Sequence, residues 1–181
     1  MDLPRDLEFI NLYPISDVHR GHPLCDVESW HAYLETIRKD PVGYAVVLGD
    51  LVEAALKSSK HGDPYRTMPP HEERRVLYEE LTPIRDKILA LVDGNHEMRH
   101  RDTDESPIGI IAEKLDLEDR YDPVAVGLTI RFGTYEGKKN KPTTYCFYVT
   151  HGSGAASSMG GKLERALKLR NAMDSVDGYW M

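Results

Sequence analysis

Two aspartates, an asparagine and three histidines fall in four short motifs along this chain. These are side chains that hold divalent metal ions and move protons. The motifs are Asp17-Val18-His19, Gly49-Asp50-Leu51-Val52-Glu53, Gly94-Asn95-His96-Glu97 and His151-Gly152. Carboxylate, carboxamide and imidazole donors suit Mn, Fe, Zn or Ni, whereas a thiolate-preferring site would want cysteines. Asp17 and His19 stand two residues apart. In an extended segment both would point to one face, and at a strand end both can reach one ion. Asp50 carries two oxygens and could bridge two ions, and Asn95 offers a neutral carbonyl oxygen. His96 adjoins Asn95, so it lies near any ion held there, and an imidazole, with an unperturbed pKa of about 6.5, suits proton transfer. Gly49 and Gly94 remove the Cβ where the backbone must turn tightly.

Each motif follows an apolar run, at 9–15, 44–48, 88–92 and 145–149. Loops at the carboxyl ends of strands in an open α/β sheet converge on one crevice, which would bring the four motifs together. The spacing predicts strands over 7–16, 43–48 and 88–92. An amphipathic helix is expected over 27–39, with Trp30, Tyr33, Leu34 and Ile37 at helical intervals, and a second over 72–81, ending near Thr82-Pro83. A third is expected over 107–115, with Ser106 as N-cap and Pro107 in its first turn. The runs 124–132 and 143–150 read as a hairpin joined by the polar stretch 133–142. Residues 57–71 read as a loop, 152–161 as a Gly/Ser-rich loop, 161–173 as a helix and 178–181 as the start of a strand. Strands alternating with helices, followed by a late hairpin, predict an α/β sandwich of two sheets flanked by helices.

The four motifs in this order resemble the calcineurin-like metallophosphoesterase superfamily, whose pattern is D-x-H, G-D, G-N-H-[ED], H and finally G-H-x-H. The similarity runs from about Ile10 to the end of the chain. It implies the two-sheet αββα fold of that family and two divalent ions, with Mn favoured. One ion would take Asp17, His19 and Asp50, and the other Asp50, Asn95 and His151. Two such ions clamp a phosphoryl group and generate a hydroxide near neutral pH, which attacks phosphorus in line. His96 would steady the phosphate and protonate the leaving oxygen. Glu97 and Glu53 could orient histidine ligands, although Glu53 reads better as the carboxylate of a helix start.

The sequence contains no G-H-x-H and stops at Gly178-Tyr179-Trp180-Met181. The expectation is therefore a single domain over 1–181 that lacks its C-terminal part, with a second sheet left incomplete and an exposed edge that could pair with another chain. Taken singly, each residue has a plainer reading. Asp17 could end a strand, Asp50 and Asn95 could be turn residues, and His151 could be a satisfied buried histidine. Their order is what argues for a metal site.

Composition sets further bounds. The 181 residues suit one domain, and 40% hydrophobic with 29% charged residues is ordinary for a globular protein. No apolar run approaches a membrane span, and the N-terminus does not read as a signal peptide. Cys25 and Cys146 read as two free thiols of a reducing cytoplasm. The net charge of −7 argues against a broad nucleic-acid surface but not against a small phosphate ester. Two basic groups, Lys57, Lys60, His61 and Arg66 with Arg74 and Arg75, and Arg99, His100 and Arg101, would overhang the crevice or be solvated loops. Lys138, Lys139 and Lys141 read as a solvated turn, and Arg20 and His22 as surface residues. The expected function is hydrolysis of phosphomonoesters or phosphodiesters, including nucleotides, through a hydroxide bridging two metal ions, with metal occupancy and turnover of this chain weakened by the missing last motif. A nuclease of the same superfamily and a non-catalytic scaffold for protein partners are the alternatives.

Overall fold

Strands β2 (Gly43–Val47) and β3 (Ile88–Val92) are apolar at almost every position, and β3 is buried along its whole length. Such strands suit the middle of a parallel sheet covered on both faces. The computed structural model, which describes residues 1–55, 68–103, 106–133, 142–152, 160, 161, 164, 168 and 176–180, shows that arrangement. Strand β1 (Asn11–Ile15) pairs in parallel with β2, β2 with β3, and β3 with the two-residue β4 (Tyr121–Asp122). Pro14 sits within β1, which is an edge strand, where a residue without an N–H is tolerated. The expected strand over 7–16 begins only at Asn11, because the segment before it turns through a Leu7 N–H to Pro4 carbonyl bond and leaves Phe9 exposed.

Helices α1 (Val27–Lys39), α2 (Pro70–Leu81) and α3 (Pro107–Lys114) cover one face of this sheet. Trp30, Leu34 and Ile37 of α1 pack with Leu77 and Leu81 of α2, Ile108 and Ile111 of α3, and Ala45, Val47 and Leu91 of the sheet. Asp26 caps α1 by accepting from the Ser29 N–H, and Ser106 caps α3 by accepting from the Gly109 N–H. Each cap contributes about 1 kcal/mol. Helix α2 begins two residues earlier than expected, with Pro70 in its first turn.

The other face meets a second sheet. Strands β5 (Ala125–Phe132) and β6 (Thr143–Thr150) form the expected hairpin, antiparallel over eight residue pairs, and β7 (Gly178–Trp180) lies parallel to β6. Leu128, Ile130, Phe132 and Val149 close a second core against Val46, Leu48, Leu89, Ala90 and Val92. The chain is thus a two-sheet α/β sandwich with a four-stranded parallel sheet and a mixed three-stranded one. Gly161, Glu164 and Lys168, the described residues of the expected 161–173 helix, are helical, as is Gly160 just before it. Most of the expected loop 57–71, with its basic residues Lys57, Lys60, His61 and Arg66, and the Lys138, Lys139 and Lys141 turn lie outside the described residues. So do most of the Gly/Ser-rich stretch and Met181. Among the described residues no helix is long and apolar enough to cross a membrane.

Candidate metal centre

The loops after β1, β2, β3 and β6 meet at one end of the sandwich. Those after β1 and β2 are zipped together beyond the sheet: the Asp17 N–H donates to the Gly49 carbonyl, His19 to Asp50, Arg20 to Leu51, and Glu53 back to Arg20. The loop after β2 touches the loop after β3 through two glycines. A Cβ on Gly49 would stand 2.2 Å from the Gly94 nitrogen, and one on Gly94 would stand 2.1 Å from Asp50 Oδ1. Neither position admits a side chain, so the sequence pays in flexibility at two residues for contact between two loops.

Asp17, His19 and Asp50 have φ of 55°, 48° and 53°. The expectation that Asp17 and His19 share a face of an extended segment is therefore corrected. Both stand in the left-handed region, and a turn rather than a pleat brings them together. Three of the five described non-glycine residues with positive φ are candidate ligands. Such strain is held where the surroundings over-determine the backbone.

The side chains converge. His19 Nε2 lies 3.9 Å from Asp17 Oδ1 and 3.9 Å from Asp50 Oδ2. His151 Nε2 lies 3.5 Å from Asp50 Oδ2 and 3.3 Å from Asn95 Oδ1. Donors so spaced, each about 2.1 Å from a shared ion, would subtend roughly 100–140° at it, a range that ordinary coordination spans. Asp17, Asp50 and His151 form one group whose donor atoms lie within 4.8 Å of one another, and His19, Asp50 and His96 form another. Asp50 belongs to both, in keeping with its expected bridging place. The ligand set implied by the resemblance is brought together, but the proximity groups divide it differently: Asp17 falls with His151, and His19 with His96.

His151 is aimed from behind. Its Nδ1 donates to the Leu48 carbonyl at the end of β2, which leaves Nε2 facing Asp50 and Asn95. Fixing one ring nitrogen on a carbonyl sets the tautomer of a histidine ligand. The Asp50 carboxylate, through hydrogen bonding and charge, pushes the His151 pKa up to about 9, against the effect of burial. Burial works to raise the Asp50 carboxyl, yet His151 and the His96 N–H hold it below the usual carboxylate range.

Glu97 does something the sequence did not announce. Its carboxylate is 1% exposed, and its hydrogen bonds among the described residues go to main-chain N–H groups. Oε2 accepts from the Asp50 and Gly94 N–H groups, each at 2.8 Å, and Oε1 from Leu51 at 2.8 Å and Val52 at 3.2 Å. It fastens two ligand-bearing loops to each other by their backbones. Glu53, expected to stand at a helix start, lies in the non-helical stretch 51–55, and residues 56–67, where such a helix would run, lie outside the described residues. The Glu53 side chain lies among His19, 3.3 Å from Nδ1, His96, 3.6 Å from Nδ1, and Arg99, at 3.8 Å. His19 Nδ1 is buried and makes no hydrogen bond, so Glu53 is the acceptor within reach.

His96 packs edge-on against His19 with ring centroids 4.3 Å apart. Its Nδ1 donates to the Glu53 carbonyl, and its Nε2 accepts from the Arg99 guanidinium, both at 2.8 Å. Arg99, expected either to overhang the crevice or to be solvated, instead turns inward. Arg20, expected at the surface, is half-buried against Glu80, which also accepts from Trp30 Nε1 and pairs with His31. Glu80 and Glu73, whose Oε2 accepts from the Ala54 N–H, both come from α2 and hold the loops after β1 and β2 from beneath. His22 Nδ1 accepts from the Leu24 N–H and faces no ligand.

No protein-family model matches the sequence, and no curated protein matches it.

Proposed function

We propose that this chain is a metal-dependent phosphoesterase of the calcineurin-like type, acting on a small phosphate ester. The observation that carries the reading is the meeting of Asp17, His19, Asp50, Asn95 and His151 from four separate loops, with His151 Nε2 left open by the Leu48 carbonyl. Carboxylate, carboxamide and imidazole donors at these spacings fit divalent ions such as Mn, Fe, Zn or Ni. Ions held there would supply positive charge to phosphoryl oxygens and a nucleophile made from water at neutral pH.

The chain's own residues have separable roles. Asp50 serves both ligand groups, and Glu53 supports His19. Arg99 is the cation beside His96, suited to receive a phosphate oxygen by its planar fork of donors. A phosphate that drew Arg99 away would free His96 Nε2, which would then have to take up a proton from solvent before passing it to the leaving oxygen. A nuclease would need a positive stripe along the crevice. Arg75, one of the arginines that would form it, is engaged with Glu72 and Glu79, which favours the small ester.

The test is Mn²⁺-dependent hydrolysis of an aryl phosphodiester beside an Asn95→Ala variant. Turnover that requires added metal and is lost in the variant is the expected result. Metal-independent turnover, or turnover that Asn95→Ala leaves intact, would sink the proposal.

A further inference from the structure

Next to Asp17 the surface opens into a cleft of about 400 Å³ between the carboxyl end of β1 and the first turn of α1. Its walls include Ile15, Val18, Cys25, Trp30 and Tyr33. We propose that this cleft is the leaving-group site of the phosphoester substrate and that it takes an uncharged aryl ring. The proposal rests on the phosphoesterase reading, because what ties the cleft to the chemistry is Asp17, which belongs both to its rim and to the ligand cluster.

Three features argue for that occupant. The first is charge. The wall carries the carboxylates of Asp17 and Asp26 and no Lys, Arg or His. An anionic group finds no counter-charge there, so phosphate belongs with the ions and Arg99 and the neutral part of the ester here. The Cys25 thiol stays protonated, since burial pushes its pKa up.

The second is hydrogen bonding. The polar side chains of the wall are already engaged within the protein. Ser16 Oγ donates to Asp17, Ser29 Oγ donates to Asp26, Tyr33 donates to the Pro14 carbonyl and Trp30 Nε1 to Glu80. A nucleobase there would find no free side-chain N–H or O–H donor for its ring nitrogens and carbonyl oxygens, a cost a plain ring does not incur. The third is size. The cleft lies in the range of small-ligand sites, and its aromatic and aliphatic lining matches a ring better than a chain of hydroxyls.

The test uses non-hydrolysable ligands, so that binding is read apart from turnover. Mn²⁺-loaded protein is titrated calorimetrically with methylphosphonate, phenylphosphonate and adenosine 5′-phosphate, in the wild type and in Cys25→Phe. Cys25 carries a free thiol on the cleft wall, and a phenyl group there fills the space. Burial of the ring should make phenylphosphonate about tenfold tighter than methylphosphonate in the wild type. In Cys25→Phe that gap should close while methylphosphonate affinity holds. Equal affinity for the two phosphonates in the wild type would overturn the cleft assignment and leave the phosphoesterase reading standing. Tighter binding of adenosine 5′-phosphate than of phenylphosphonate would overturn the apolar character claimed for the site. Failure of all three ligands to bind would overturn the phosphoesterase reading, and this proposal with it.

Discussion

Two sides of one centre are built differently. Asp50 and His96 come from loops that Glu97 ties together through four backbone N–H groups, in a place that is 1% exposed at Glu97 and 3% at Asp50. Asp17 comes from the loop after β1, and its side chain is 65% exposed, with the Ser16 hydroxyl as its hydrogen-bond donor. On the first side the geometry is part of the fold and exists before any ion arrives. On the second, the backbone is fixed by its zip to the β2 loop while the carboxylate is left free to be ordered by what it binds. A centre made this way keeps a rigid floor and an adjustable rim, and the rim is where the cleft opens.

The largest effect should come from attacking the floor. In Glu97→Gln one carboxylate oxygen becomes an NH₂ group that faces two backbone N–H donors. A buried pair left unsatisfied, plus the lost charge assistance, costs about 3 kcal/mol. For a chain of this length that corresponds to a fall in Tm of roughly 6–12 °C. Metal affinity should fall too, because Asp50 and Asn95 ride on the loops concerned. A melting curve on the metal-free protein decides it. Unchanged Tm would mean that the floor is not fixed by Glu97, and the contrast between the sides would fail.

The next effect is set by pH and has opposite signs in stability and in metal binding. His151 has a folded pKa raised to about 9 by Asp50. Its ion pair therefore stabilises the metal-free protein fully below the unfolded imidazole value of about 6.5, and that contribution is lost as pH rises through about 9. Asp50 is lowered, so its contribution is present above its unfolded value and is lost as pH falls through the lower folded one. An ion must displace the His151 proton, so apparent metal affinity should rise about tenfold per pH unit over roughly 6.5–9 and level off above. Thermal melts without metal and Mn²⁺ titrations over that range should move in opposite directions. Metal affinity independent of pH would show that His151 is not a ligand.

How much of this could be read from the chain alone follows the same division. The strand ends and their motifs were legible because buried parallel strands are continuous apolar runs with glycine at their ends, as at 44–49 and 88–94. The hairpin and the Ser106 N-cap were legible for equally local reasons. Glu97 was misread because its neighbour His96 suggested a histidine partner. Three of its four partners are main-chain N–H groups 45 to 47 positions away, which no side-chain pattern records. The extended reading of Asp17 and His19 failed because nothing in a D-x-H triplet signals positive φ. A signal was present for the supports from α2. Glu73 lies four and eight residues before Leu77 and Leu81 on the buried stripe, with Glu80 beside it, and a carboxylate on an apolar stripe needs partners. Arg20 and Trp30 could have been proposed to meet Glu80, though only the folded chain shows that they do.

The smallest effect on stability should come from the rim, and there the two sides separate most cleanly. Asp17 has φ 55°, a conformation that asparagine also tolerates, and its Oδ could still accept from Ser16. Asp17→Asn should therefore leave the stability of the metal-free protein within about 0.5 kcal/mol of wild type. It exchanges an anionic donor for a neutral one, so metal affinity should drop about tenfold. A stability loss as large as that of Glu97→Gln would mean that Asp17 is as much part of the floor as Asp50 is. Unaltered metal affinity would instead remove Asp17 from the ligand set, and with it the link between the centre and the cleft. The fold could survive either result; the assignment of a rigid half and an ion-ordered half to one centre could survive neither.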